Sequence, residues 1–215
     1  LESGAALMPV REPMALDARG RRALERAALA AQISKEEAGI FIERSRLGGE
    51  LPSGTPGVLA AQRAWTEAAP VMVHLAPLLD GERGKTVAVE TELGGWRLNA
   101  VLENVGPKGQ VLWSVDALSP WVMLRAWCAH LLLNSDAGAP SHHTHLVDVE
   151  GIVSFLPEED AASTLHELVG LYREGLCRPL PFFPRSAWAY VSAAKTPLAN
   201  AYRTWAGSEH ASAVG

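Results

Sequence analysis

The first third of the chain has the apolar spacing of helices rather than of strands. Residues 17–31 are rich in Ala, Arg and Leu, which are strong helix formers. Ser34 and Glu37 match a capping box, in which the serine accepts from a backbone N–H and the glutamate reaches back to the cap. Pro70 is expected to bend or split the third apolar stretch. The predicted helices are 17–31, Ser34 to Gly48, and 58–79.

Beyond Gly81 the spacing of apolar residues becomes alternating. Gly94-Gly95 is a two-residue hairpin signal, and residues 106–109 (Gly-Pro-Lys-Gly) supply a second turn. Alternation is clearest after the first turn, where one face would carry Trp96, Leu98, Ala100 and Leu102. Short alternating runs joined by tight turns indicate an antiparallel meander. Its predicted strands are 86–93, 96–105 and 110–116.

After the meander the pattern of helices returns. Ser119 is a candidate N-cap with Pro120 at the first helical position, and this helix is expected to reach Leu133. The Pro-rich stretch 179–184 cannot be helical. The remaining elements are predicted as one strand or a broken pair at 146–156, an amphipathic helix at 158–176, and a last helix at 187–205 with an interruption at Pro197.

This order of elements predicts a mixed α/β fold of the α+β type. A helical N-terminal region would cover residues 1–80, and a core domain with an antiparallel hairpin sheet flanked by helices would cover 81–215. We expect the two regions to pack together as one unit. Four tryptophans are expected in the core because they fall on the sheet and on the helix that follows it: Trp96, Trp113, Trp121 and Trp127.

Composition narrows the class of protein. The 215 residues are 48% hydrophobic and 20% charged, which is typical of a soluble globular protein. No apolar run approaches the roughly 20 residues of a membrane-spanning helix, so no membrane association is expected. The net charge of -5 excludes a generally basic protein that coats nucleic acid. With two cysteines, Cys128 and Cys177, a reducing cytoplasmic location is expected. The start at Leu1, without a signal peptide, is expected for a piece of a larger protein.

Several segments carry a resemblance to a known family. Residues 51–57 are similar to a Leu-Pro-x-Gly-x-x-Gly turn of that family, and residues 96–102 to its central hairpin strand. Residues 124–131 are similar to the helix that follows. The most specific segment is 168–188, with Tyr-Arg-x-Gly-Leu-x-x-Pro-Leu-Pro-Phe at a helix end and loop. From about residue 33 onward the chain thus resembles the C-terminal region of the gamma subunit of exodeoxyribonuclease V, the RecC family.

The resemblance implies a restriction-endonuclease-like fold. In that fold one hairpin strand carries an Asp and the next carries Asp or Glu, one residue and a Lys; the carboxylates hold Mg²⁺ and the lysine assists the chemistry. The equivalent positions here are Asn99, Ser114 and Asp116, so the site is degenerate. A non-catalytic chain with no cofactor or metal of its own is therefore expected, although the complex it resembles uses ATP and Mg²⁺. The alternative is a divergent Mg²⁺-dependent DNA nuclease that uses Glu103 and Asp116.

Other groupings of reactive side chains have ordinary structural interpretations beside the chemical ones. His142, His143 and His145 with Asp148 supply enough ligands for a transition metal, but they lie in a polar loop of the kind that is usually solvated. A triad of Ser114, His130 and Asp116 lacks the strand–turn–helix elbow that presents a nucleophilic serine. No P-loop sequence is present.

The function that these observations favour is a scaffold. The resemblance implies the C-terminal domain of the gamma subunit in the ATP-dependent helicase–nuclease (RecBCD), acting in double-strand-break repair by homologous recombination. Its partners would be RecB-like and RecD-like subunits, and DNA within the complex. A basic stripe is a candidate contact for DNA or a partner, against a default of a solvated helix face: Arg19, Arg21, Arg22 and Arg26. An interaction module from an unrelated protein is the third hypothesis.

Overall fold

The computed structural model describes residues 15–49, 51–79 and 84–207. The chain divides into two compact units, Leu1–Pro77 and Leu78–Gly215, where the sequence predicts a division between residues 80 and 81. In its described residues the first unit contains α1 (Ala18–Ile33), α2 (Ala38–Leu47) and α3 (Thr55–Leu79), and the last two residues of α3 belong to the second unit. Asp17 caps α1 by accepting a hydrogen bond from the backbone N–H of Gly20 at 2.6 Å.

The predicted capping box at Ser34 and Glu37 is wrong. Ser34 ends α1, and its hydroxyl donates to the carbonyl of Ala30 at 2.9 Å. Lys35 then takes a positive φ of 57°, which reverses the chain before α2 begins. Glu37 is the N-cap residue of α2 and forms no side-chain capping bond. Ser34 therefore lies at the end of α1, and Glu37 rather than Ser34 is the residue that precedes α2.

The third helix runs unbroken through its prolines. The predicted helix 58–79 begins earlier, at Thr55, and neither Pro70 nor Pro77 splits it. Small and branched residues at intervals of three and four form its buried stripe: Ala61, Ala64, Ala68, Val71 and Leu75. Phe41 of α2 is fully buried, with its ring 5.5 Å from that of Trp65. Tertiary packing of this stripe outweighs the local cost of proline in a helix.

The second unit contains a five-stranded mixed sheet. Its strands are β1 (Lys85–Leu93), β2 (Trp96–Gly106), β3 (Gly109–Trp113), β4 (Thr144–Val147) and β5 (Ile152–Phe155), in that spatial order. The predicted antiparallel meander β1–β2–β3 is confirmed. β3 then pairs with β4 in parallel, and β4 pairs with β5 antiparallel. The segment 146–156 is therefore a hairpin pair, and the third strand ends at Trp113 rather than at Asp116.

The described part of the second unit also contains four helices: α4 (Pro120–Ser135), α5 (Ala161–Cys177), α6 (Pro184–Val191) and α7 (Pro197–Ala206). The predicted cap of α4 is confirmed, since the hydroxyl of Ser119 accepts from the N–H of Val122 at 3.3 Å and Pro120 is the first helical residue. The predicted last helix is two helices, α6 and α7. They are separated before Pro197, where Thr196 has a left-handed backbone with φ 50°.

A β-bulge in β2 brings two apolar residues to the same face of the sheet. The register between β1 and β2 shifts by one residue between Lys85 and Val87, opposite Asn104, which has φ 57°. Leu102 and Val105, three positions apart, are consequently both buried against Leu133 of α4. The α4 helix packs over strands β1 to β4, and α5 packs on α4 and β1.

Two of the four tryptophans predicted in the core are exposed. Trp96 retains 39% of its surface and meets Tyr172 edge to face at 6.5 Å. Trp121 retains 49% and meets Phe182 edge to face at 5.8 Å. Trp113 and Trp127 are half-buried. Within the described part of the chain, no helix combines the length and the apolarity needed to cross a bilayer.

Candidate functional site

The three positions that the resemblance aligns with a nuclease site, Asn99, Ser114 and Asp116, lie on the second unit. Asn99 is exposed on β2 and faces Glu90 of β1 across the strand pair. Ser114 follows the last residue of β3, and Asp116 lies exposed in a bend beyond it. β2 pairs with β3 at the two residue pairs beside their turn, Val105–Gln110 and Gly106–Gly109. Strand pairing therefore does not hold Asn99 beside Ser114.

Ser114 and Asp116 are brought together, but by a local turn. The hydroxyl of Ser114 accepts a hydrogen bond from the backbone N–H of Asp116 at 3.2 Å. The N–H of Ser114 donates to the carbonyl of Val147 at 2.9 Å, which extends the β3–β4 ladder by one residue. The chain then turns away from the sheet towards α4. The hydroxyl and the backbone N–H of Ser114 therefore both form hydrogen bonds with backbone groups at this corner.

The carboxylates of the alternative nuclease do not gather into a cluster. Glu103 is exposed on β2 near the β2–β3 turn, whereas Asp116 lies three residues beyond the other end of β3. Among the described residues, no group of three or more His, Cys, Asp or Glu side chains is arranged to hold a metal ion.

Asp148 is the buried carboxylate of this corner. It is 3% exposed and directly follows β4. One carboxylate oxygen, Oδ2, accepts from the N–H of Leu118 at 3.0 Å. The other, Oδ1, accepts from the N–H groups of Glu150 at 2.8 Å and Gly151 at 3.0 Å. Asp148 thus joins the β3–α4 loop to the β4–β5 turn, a structural role that the sequence did not reveal.

A second buried polar group lies on α4. His130 is fully buried, and its Nε2 lies 2.9 Å from the carbonyl oxygen of Leu156. A carbonyl only accepts, so Nε2 carries the proton and Nδ1 accepts from the hydroxyl of Thr144 at 3.0 Å. Burial lowers the pKa of His130, and this effect exceeds the opposing effect of the hydrogen bond to Leu156. The ring is a neutral, fully bonded anchor between α4, β4 and the end of β5, and it forms no hydrogen bond with Ser114 or Asp116.

Asn134, one turn after His130, extends this network. Its side-chain amide nitrogen lies 2.8 Å from the carbonyl of His130 and 3.0 Å from that of His142. Its Oδ1 accepts from the N–H of Glu158 at 2.9 Å. The three bonds fix the end of α4, the segment before β4 and the approach to α5. The only sequence signal for this network is a polar pair, His130 and Asn134, at helical spacing within an apolar helix.

The histidines of the candidate metal loop are used in other contacts. Nε2 of His145 donates to the carbonyl of Lys108 at 3.1 Å, and its Nδ1 accepts from the hydroxyl of Ser154 at 2.8 Å. Nε2 of His142 donates to the carbonyl of Asp136 at 3.1 Å. The rings of His143 and His145 stack with centroids 6.4 Å apart. This arrangement fixes β4 against its neighbours and does not converge on an ion.

The predicted basic stripe divides between two sides of α1. Arg19, Arg22 and Arg26 are exposed and lie at i, i+3 and i+7, which places them on one side of the helix. Arg21 lies on a different side and lines a groove with Arg63 and Glu67 of α3. Glu67 pairs with Arg63 at 2.6 Å, and Arg21 contributes to lowering its pKa, although the hydrogen bond to Arg63 contributes most.

Comparison with known proteins identifies the family. Residues 1–195 match the family model described as the RecC C-terminal domain. The chain is 27% identical over 187 residues to the protein named RecBCD enzyme subunit RecC of Escherichia coli (strain K12). That match covers 86% of this chain and 16% of the Escherichia coli protein, so the chain corresponds to about a sixth of its relative's length. With its sheet, helices and family match taken together, the chain belongs to the RecC C-terminal domain family.

Proposed function

We propose that the chain is the non-catalytic C-terminal domain of a gamma subunit in an exodeoxyribonuclease V-type helicase–nuclease complex. Within the complex, the domain would contribute to subunit assembly and would support the DNA path during double-strand-break repair by homologous recombination. The Escherichia coli relative is named as a subunit of the RecBCD enzyme, and the present chain belongs to the RecC C-terminal domain family. RecB-like and RecD-like subunits are the partners that this proposal names.

The observation that carries the proposal is the corner at the ends of β3 and β4. The family resemblance implies that metal-binding carboxylates lie beside a lysine on the hairpin. Instead, Ser114 bonds to the backbone of Asp116 and Val147, and the buried carboxylate of Asp148 is occupied by three backbone N–H groups. The order of three antiparallel strands, a helix and a parallel strand supports a restriction-endonuclease-like core whose site has been replaced by structural hydrogen bonds.

The direct test is co-purification of the 215-residue chain with RecB-like and RecD-like subunits of the same organism, each expressed separately. We expect retention with at least one subunit at physiological salt. Retention with neither would remove the assembly role. A parallel assay with linear DNA, Mg²⁺ and Mn²⁺ addresses the alternative nuclease, and cleavage that is lost in Asp116→Asn would establish that alternative instead.

The DNA-path role has its own test in the assembled complex. The variant Arg19→Ala/Arg22→Ala/Arg26→Ala removes the cations from one side of α1. Each lost phosphate contact reduces the slope of log affinity against log salt by about one. A matched control removes three exposed arginines elsewhere in the chain: Arg44, Arg46 and Arg97. Equal slopes in the two triple variants would exclude the α1 surface as a DNA contact.

A further inference from the structure

β5 is the outermost strand of the sheet, and no strand among the described residues pairs with its far side. The N–H of Asp148 donates to the carbonyl of Gly151 at 3.0 Å, so these two residues form a hydrogen-bonded pair of the β4–β5 ladder. Hydrogen-bonded pairs alternate along an antiparallel ladder, and the backbone of Val153 is therefore bonded to β4. The N–H and C=O groups of Ile152 and Ser154 point outward instead. This spacing matches the one at which an added strand would bond.

The side chains on and beside this strand are apolar and exposed. Ile152, Val153 and Leu156 retain 44%, 37% and 71% of their surface. The strand contains no charged residue and no proline, and its register with β4 is continuous. Its length of four residues is therefore the one protection that it has against pairing with another chain.

The opposite edge of the sheet is protected in the usual way. β1 carries three charged side chains, Lys85, Glu90 and Glu92, and its register with β2 is interrupted by the β-bulge. Charged residues and bulges on an edge strand prevent the addition of further strands. The two edges of one sheet thus differ, and only β5 combines outward backbone groups with an uncharged, apolar sequence.

The charges around β5 are of one sign. Residues 126–172 contain seven Asp and Glu residues and no Lys or Arg. Glu150 precedes the strand, Glu159 and Asp160 follow it, and all three are exposed. None of these three forms an ion pair with another residue in the described part of the chain. A strand that pairs with β5 would therefore be stabilised by Lys or Arg at both of its ends.

The same charges disfavour two other occupants. Antiparallel pairing of β5 with β5 of a second copy would place Glu150 of one copy near Glu159 and Asp160 of the other, and like charges in such positions are destabilising. Nucleic acid would be repelled through its phosphates.

We infer that the outer edge of β5 is a docking site for an extended, basic segment of a partner protein. The segment would add a sixth strand to the sheet, with branched apolar residues at alternate positions and Lys or Arg at both ends. Backbone hydrogen bonds to Ile152 and Ser154 would supply the pairing, and the flanking carboxylates would select the charge. The inference goes beyond the proposed function, because it is tested on the 215-residue chain with a peptide and without other subunits.

The probe is a fluorescein-labelled peptide, Lys-Arg-Val-Thr-Val-Thr-Val-Arg-Lys, titrated with the full chain and followed by fluorescence anisotropy. A peptide with Gly and Ser in place of Val and Thr keeps the charges and removes the preference for extended structure. We expect the Val/Thr peptide to bind at least tenfold more tightly than the Gly/Ser peptide.

Two substitutions at one position separate backbone pairing from side-chain contact. Ile152→Pro removes an outward N–H that is not used in the β4–β5 ladder, whereas Ile152→Thr keeps this N–H and a β-branched side chain. We expect Ile152→Pro to bind the peptide at least tenfold more weakly and Ile152→Thr to stay within threefold of the unaltered chain. Circular dichroism verifies that both variants keep the fold.

A pair of charge variants tests the carboxylates. Glu150→Gln/Glu159→Gln should weaken peptide binding at low salt and flatten its dependence on salt. Glu90→Gln/Glu92→Gln removes the same number of charges at the β1 edge and should leave the affinity within twofold of that of the unaltered chain.

Amide hydrogen exchange of the unaltered chain locates the peptide without any variant. The N–H groups of Ile152 and Ser154 should exchange at least tenfold more slowly when the peptide is saturating. The N–H of Val153, which is already bonded to β4, should change less.

Four results would overturn the inference: equal binding of the Val/Thr and Gly/Ser peptides, equal binding of Ile152→Pro and Ile152→Thr, equal weakening by the two charge variants, or unchanged exchange at Ile152 and Ser154. A dimer of the chain in which these two amides are protected without peptide would identify a second copy as the occupant instead. None of these results depends on capture by RecB-like or RecD-like subunits, so the proposed function succeeds or fails separately.

Discussion

The carboxylate of Asp148 accepts a hydrogen bond from the backbone N–H of Leu118 at 3.0 Å, although the two residues are 30 positions apart. Leu118 immediately precedes Ser119, the cap of α4, and Asp148 immediately follows β4. Because β3 and β4 are parallel neighbours, their carboxyl ends meet at the same edge of the sheet. This bond sets where α4 begins with respect to that edge.

Replacement of Asp148 by Asn should destabilise the second unit by about 2–3 kcal/mol. An amide keeps one acceptor oxygen but turns an NH₂ group towards one of the backbone N–H donors, which is then buried without a partner. Urea unfolding followed by tryptophan fluorescence measures the change. The matched control is Asp136→Asn, since Asp136 accepts from the N–H of Gly138 in an exposed turn, and a cost below about 1 kcal/mol is expected there. Equal costs at the two positions would contradict the anchoring role of Asp148.

His130 should make stability depend on pH. Burial holds its pKa below the ordinary value of 6.5, so the unfolded chain binds a proton that the folded chain resists. The stabilising contribution is therefore complete above pH 6.5 and is lost as the pH falls below it, with a limiting slope of about 1.4 kcal/mol per pH unit for one proton.

The comparison for His130 is the variant His130→Gln, which retains polar atoms but does not titrate. Unfolding free energies measured from pH 7.5 to 5 should show a shallower loss on acidification in the variant than in the unaltered chain. The same slope in both proteins would show that His130 does not contribute to the acid dependence.

Gly109 begins β3 at a position where a side chain has no room. Its φ is 113°, and a Cβ atom there would overlap the carbonyl group of His143. Gly109→Ala should therefore cost at least about 2 kcal/mol through strain and displacement of the β3–β4 pair. Gly170→Ala is the matched control, since a Cβ at this position in α5 meets nothing within 4 Å, and it should stabilise by about 0.5–1 kcal/mol. Thermal unfolding distinguishes the two signs, and a stabilised Gly109→Ala would refute the predicted overlap.

Restoring the residue types of a nuclease should not restore cleavage. The triple variant Asn99→Asp/Ser114→Asp/Asp116→Lys recreates the pattern that the resemblance implies. However, β2 pairs with β3 at the two residue pairs beside their turn, and Asn99 pairs with Glu90 of β1. We expect no Mg²⁺- or Mn²⁺-dependent degradation of linear DNA above that of the corresponding triple alanine variant. Measurable cleavage by the restored chain alone would show that the strands still assemble a functional site.

Local sequence signals predicted an element correctly where the interacting groups lie close together in the chain. Gly94-Gly95 correctly predicts the β1–β2 hairpin, and Ser119-Pro120 correctly predicts the start of α4. The capping box failed because Ser34 completes α1 instead of opening α2. A four-residue motif does not determine whether the serine hydroxyl bonds to the end of the preceding helix or to the start of the next one.

At the candidate site, the hydrogen bonds of the buried polar side chains could not be predicted from local signals. Asn99 and Ser114 stand where the resemblance implies acidic residues, and that assignment remains a prediction from the sequence. The roles of Asp148 and His130 depend on partners such as Leu118 and Leu156, which are backbone groups far along the chain. Backbone donors and acceptors have no sequence signature, so only the fold reveals which side chain meets them.

The parallel pairing of β3 with β4 has a consequence for biosynthesis. β1, β2 and β3 can pair as soon as their short turns form, whereas β4 pairs only after the whole crossover through α4 has been made and its loop entropy overcome. During translation β3 is therefore an open edge of the sheet until β4 leaves the ribosome. A nascent or truncated chain that stops within α4 exposes an unpaired strand to association with other chains, and completion of β4 removes that hazard.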